Sequence, residues 1–169
     1  MPNPPLPTHV ARDLARLIES EALGVAFFAT AAHLSLTEQE RRAWGALRDL
    51  EIQTNAGVSS FVERAELPGG ARNRIASTAG FSGGTGLRLV PFSTRLKVIR
   101  HGTKRYLPAF QRLAEHYAGT DEAEFFNYVV QHELAIISFT TRALAAERNA
   151  LDPVLGLLDE PVPGLTTTG

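Results

Sequence analysis

Apolar residues recur along the first part of the chain at helical spacing. From Val10 through Leu14, Leu17, Glu21, Val25 and Phe28 to Ala32, the steps are 4, 3, 4, 4, 3 and 4. A strand would alternate every second residue. The pattern predicts a helix over about residues 8–33, capped by Thr8 after a proline-rich lead. A second stripe, Trp44, Leu47, Glu51, Thr54, Val58, Phe61 and Ala65, alternates steps of 3 and 4 and predicts a helix over about 37–66. Thr37 and Glu40 have the spacing of a capping box at its start, and Pro68-Gly69-Gly70 stops it.

Residues 67–92 carry no sustained period, and Gly80, Gly83, Gly84 and Gly86 fall among them. They read as a long crossover. A third stripe follows: Leu96, Ile99, Thr103, Tyr106, Phe110, Leu113 and Tyr117. It predicts a helix over about 93–118, capped by Ser93 or Thr94. Pro108 lies inside it, and an interior proline removes one backbone hydrogen bond and crowds the preceding turn, so a kink or break is expected near Tyr106–Pro108. After a tight turn at Gly119-Thr120, with Asp121 and Glu124 as a further capping pair, the stripe Phe126, Val129, Glu133, Ile136, Thr140 and Ala143 predicts a helix over about 121–147. The tail, 148–169, is rich in Pro and Gly and reads as irregular and loosely packed. Four helices joined by short, long and short connections predict an all-α, antiparallel four-helix bundle in one domain, residues 1–169.

Composition narrows the function classes. The 169 residues, 44% of them hydrophobic and 21% charged, suit one globular core. A net charge of −1 argues against nucleic acid as a partner. With no cysteine, disulfides, thiolate nucleophiles and zinc–thiolate sites are excluded. No apolar run reaches the length of a membrane span, and Met1–Pro7 lacks the features of a signal peptide, so a cytoplasmic location is expected.

Candidate chemistry lies where acids interrupt the apolar stripes. Glu21, Glu51 and Glu133 each fill an inward slot near the middle of a helix. Tyr106, with Thr103 one turn away, occupies that level on the third helix. Buried carboxylates need a cation, a basic partner or shared protons. Oxygen donors suit manganese, iron, magnesium or calcium. Lys97, Arg100 and Lys104, at helical spacing on a neighbouring face, are the candidate basic partners. His132 adjoins Glu133, so its side chain projects about 100° away and reads as a helix-flank histidine. His33 and His116 sit near helix ends, where they meet the C-terminal dipole. The segment Gly80–Gly86 lacks the flanking strand and the Gly-Lys-Ser/Thr ending of a phosphate loop and reads as a connector or flap.

The segments Glu21–Phe28, Leu50–Thr54 and Gln131–Ile136, within residues 8–147, resemble the ferritin-like superfamily of di-iron and di-manganese carboxylate bundles. In that superfamily one helix of each pair gives a Glu and the other a Glu-x-x-His. The resemblance implies Glu21, Glu51 and Glu133 as metal ligands and iron or manganese as the metal. The sequence departs from the pattern at Thr54 and Ile136, where histidines would fall. It also departs on the third helix, whose only acid is Glu115. Three of six expected ligands are present, with Tyr106 a candidate oxygen donor in place of the missing acid. Two functions therefore stand: a metal-binding bundle, or a scaffold that has lost its metal and acts in binding or structure. Phe27, Phe28, Phe125, Phe126 and Tyr128 can line a cavity for an apolar small molecule, and Phe27 and Phe28 with neighbouring alanines suggest a homodimer face.

Overall fold

The computed structural model describes residues 6–65 and 90–165. The crossover and its glycine-rich segment lie outside them, except for residues 90–92 at its C-terminal end. The described chain is all-α: α1 (Thr8–His33), α2 (Glu38–Arg64), α3 (Phe92–His116), α4 (Ala123–Leu144) and α5 (Asp152–Leu158). There is no strand among the described residues. None of these helices is long and apolar enough to cross a membrane.

The helix starts differ from expectation in their chemistry. Pro7, not Thr8, is the N-cap of α1, and Pro91 that of α3. Neither offers a side-chain cap. Proline's fixed φ sets the chain up for entry into a helix, so neither Thr8 nor Ser93 is needed as a cap. Glu122 takes the place expected of Asp121 at α4. Thr37 does cap α2, its hydroxyl accepting from the Glu40 amide at 3.2 Å. The Glu40 carboxylate goes elsewhere, accepting from Arg95 Nη2 at 3.0 Å.

α3 runs unbroken through Pro108. Both Pro108 and Lys104, whose carbonyl loses its partner, are exposed. Water can therefore satisfy that carbonyl, and the expected break is not needed.

Contacts between helix ends give the directions. Phe28 at the end of α1 stacks on Trp44 at the start of α2, centroids 6.0 Å apart, so these two are antiparallel. Trp44 also meets Phe92 at the start of α3, at 5.2 Å. Phe61 at the end of α2 meets Tyr117 just past α3, at 5.6 Å. α2 and α3 are therefore parallel, and the chain leaves α2 at one end and enters α3 at the other. Phe61 packs on Phe126 at the start of α4, at 5.0 Å, so α4 opposes α2. The most extensive pairings are α1 with α2 and α3 with α4. Across the pairs, Arg112 Nε and Nη2 donate to the two oxygens of Asp13 at 2.8 and 3.0 Å, joining the end of α3 to the start of α1. Those bonds hold the buried Asp13 carboxyl below its ordinary value, against the opposing effect of burial.

The tail is not irregular throughout. α5 docks on α2 and α4. Val154 is wholly buried, and Ala150, Leu157 and Val162 are buried beside it. A Cβ on Gly57 would lie 2.7 Å from both Phe125 Cε2 and Val162 Cγ1, so only glycine lets α2 approach α4 and the tail this closely.

Candidate metal centre

Glu21 of α1, Glu51 of α2 and Glu133 of α4 come together in the middle of the bundle, all buried. Each sits where its stripe requires an inward side chain. The Glu51 carboxyl lies against the backbone of α1 at Gly24. Thr103 and Tyr106 of α3 face the same space. The basic flank does not turn in: Lys97 and Lys104 are exposed and Arg100 is half-buried. The buried cation of α3 is Arg95, one turn from its start, which pairs with Glu40. Among the described residues, no lysine or arginine pairs with the three glutamates. Pairing with the basic flank is therefore not what compensates them.

His132 is the main correction. It is fully buried, not on a flank. Its Nδ1 lies 2.7 Å from Thr54 Oγ1 and 3.9 Å from Glu21 Oε2. Its Nε2 lies 3.4 Å from Glu51 Oε1. α4 packs against α3, α5 and α2, and adjacent positions on it are buried in pairs: Phe125 and Phe126, Tyr128 and Val129, His132 and Glu133, Ala135 and Ile136, Phe139 and Thr140. Glu133 faces the carboxylate layer from one column, and His132 reaches it from the other. Thr54, at the position where the resemblance expects a histidine, supports this one instead.

The hydrogen bonds assign the tautomer. Thr54 Oγ1 donates its single proton to the Leu50 carbonyl at 3.0 Å, so it accepts from His132 Nδ1–H. In the neutral ring Nε2 is then the nitrogen that can accept. His132 Nε2 and Glu21 Oε2 are both buried without a hydrogen-bond partner. A lone pair facing a carboxyl oxygen is repulsive unless a proton or a cation lies near both. One donor atom each from Glu21, His132 and Glu133 falls within 4.8 Å of the others. This buried group could hold a metal ion. Its oxygen and imidazole donors fit a first-row divalent cation, and the Thr54 contact is the outer support that a ligating histidine ordinarily has.

Burial and mutual proximity set the electrostatics of the layer. Burial raises Glu21 well above its ordinary value; His132 opposes this, and the Glu51 charge and a hydrogen bond shared with Glu51 add to it. Burial pushes Glu51 up to about 8, moderated by the hydrogen bond with Glu21. Burial also pushes Glu133 up to about 8, with His132 opposing and the two other glutamates adding.

Beside the layer lies a cavity of about 350 Å³ between α1 and α3. Leu23, Phe27, Phe28, Val98, Ile99 and Ile136 wall it, and the glutamates, Thr103 and Tyr106 supply its polar side. The remaining histidines lie away from the site; His33 and His116 fall in the last turns of α1 and α3, as their spacing predicts. No protein-family model matches the chain, and no curated protein or solved structure matches it either.

Proposed function

We propose that this protein is a metal-binding helical bundle of ferritin-like layout. It would hold iron or manganese through Glu21, Glu133 and His132, with Glu51 as the adjoining carboxylate. The observation that carries the reading is the buried group of Glu21, His132 and Glu133, one donor atom of each within 4.8 Å of the others, with Glu21 Oε2 and His132 Nε2 left without hydrogen-bond partners. The parallel α2 and α3 and the pairing of α1 with α2 and of α3 with α4 support the ferritin-like layout. With a single histidine, and hydroxyls in place of an acid on α3, the donor set fits one ion better than two.

When bound, such an ion supplies Lewis acidity and, for iron or manganese, one-electron chemistry. The chain's own residues do the rest. Thr54 fixes the His132 ring, Gly24 gives Glu51 its seat, and the apolar walls around the cavity keep the layer in a low-dielectric setting.

Elemental analysis of protein purified without chelator, and again after anaerobic reconstitution with Fe(II) or Mn(II), tests the reading. About one ion per chain is expected, with loss of the ion in His132→Ala and Glu133→Gln. Failure to retain either metal would overturn it. A second reading has its own observation: burial raises all three glutamates, so the layer can satisfy itself with protons in place of a cation. In that case the bundle is a non-catalytic binding or structural scaffold. Glu51→Gln then leaves stability unchanged or improved.

A further inference from the structure

The cavity has walls and a floor of opposite character. Phe27, Phe28, Val98 and Ile99 present hydrocarbon, and Val98 is 61% exposed at its outer edge. At the inner side, Glu21 and Glu133 meet Thr103 and Tyr106 of α3. Where a fourth acid would have closed the layer, α3 has two hydroxyls, and Gly102 beside them has no side chain. A Cβ added at Gly102 would have no atom within 4 Å, so space stands open at that point.

We propose that this cavity is a binding site for a small neutral amphiphile with a terminal hydroxyl, its chain along the apolar wall and its hydroxyl among Thr103, Tyr106 and the glutamates. The volume of about 350 Å³ corresponds to roughly ten non-hydrogen atoms at about 30 Å³ for each water-sized group. A hydroxyl both donates and accepts, so it matches acceptor oxygens on the glutamates and the hydroxyls on α3. A charged head, carboxylate or ammonium, gives up strong hydration on entering a cavity walled mostly by hydrocarbon, and a hydroxyl does not. The site shares the carboxylate layer with the proposed metal but does not need the metal.

Calorimetric titration of the chelator-treated, full-length protein with octanol, octylamine and octanoate at pH 7 tests the proposal. Octanol is expected to bind one per chain, at least tenfold tighter than either charged analogue. Gly102→Leu fills the open space and replaces a helix-interior glycine, so it should keep the fold and weaken octanol binding at least tenfold. The proposal is overturned if octanol does not bind the wild type, if a charged analogue binds as tightly, or if well-folded Gly102→Leu binds octanol unchanged. Metal content, measured separately on both proteins, reports on the metal reading alone. A protein that binds octanol without retaining metal loses only that reading.

Discussion

A Cβ on Gly24 would lie 2.6 Å from both carboxyl oxygens of Glu51. The missing side chain of one helix is therefore the seat of the acid from the next. Ordinarily, Gly→Ala in a helix interior stabilises by up to about 1 kcal/mol. Here Gly24→Ala must displace the Glu51 carboxyl, which is the mobile end of a long side chain and can swing away. We expect a thermal midpoint close to that of the wild type and a metal affinity reduced about tenfold, on the scale of lost support to a ligand set. Parallel melting curves and metal titrations check this. Unchanged affinity would show that the Glu51 position is irrelevant to the ion.

The contact between His132 and Thr54 should matter in two ways. Thr54→Val keeps the shape but leaves His132 Nδ1–H buried without an acceptor. The expected loss is about 1–3 kcal/mol in denaturant unfolding. The ring also loses the bond that sets its tautomer, so metal affinity should fall roughly 10- to 100-fold. Thr54→Ser retains the oxygen and should recover most of both. If serine behaves like valine, packing by the methyl group is the role of Thr54.

Much of the bundle was legible because its four stripes are long and regular, and the bounds of α1 and α2 match the pattern to within a residue or two. Glu21, Glu51 and Glu133 stood out as acids in apolar slots. His132 did not, because α4 was read as one stripe of single positions. Its doubled apolar pairs, Phe125-Phe126, Tyr128-Val129 and Ala135-Ile136, mark a helix covered on two sides, and His132-Glu133 falls in register with them. His132 is covered by Thr54 and Glu51 of α2; α5, also packed on α4, has 7 residues, too few to be stable alone, and forms only on docking. The Pro and Gly of that segment concealed it. Of the aromatics expected to line a cavity, Phe27 and Phe28 do so, whereas Phe125, Phe126 and Tyr128 are buried elsewhere in the core; the open space at Gly102 is not a property of one stripe.

That docking gives a stability prediction remote from the acids. A methyl added at Gly57 meets the Phe125 ring and Val162, both buried. An aromatic ring in a packed core cannot swing aside as a carboxylate can, so Gly57→Ala should destabilise by about 1–3 kcal/mol despite its better helix propensity. Adding Val162→Ala should relieve part of the loss by opening one side. Additive destabilisation in the double variant would mean that the tail does not press on this position in solution.

The buried acids make stability and metal binding respond to pH in opposite directions. In the unfolded chain Glu51 and Glu133 titrate near 4.5, and in the metal-free fold near 8. Between those values the folded state holds more protons than the unfolded state, so folding is favoured less as pH rises. Their contribution is fully present below about 4.5 and is lost by about 8. Glu133→Gln mimics the protonated side chain at every pH. Melting curves of metal-free protein should show the wild type and Glu133→Gln alike near pH 5, with the wild type the less stable of the two at pH 8. Metal binding requires the carboxylates deprotonated, so its stabilisation of the wild type should grow over the same interval and release protons to the buffer. A wild type that stays level with Glu133→Gln from pH 5 to 8 would mean that Glu133 is ionised throughout, compensated by something other than a proton or a metal.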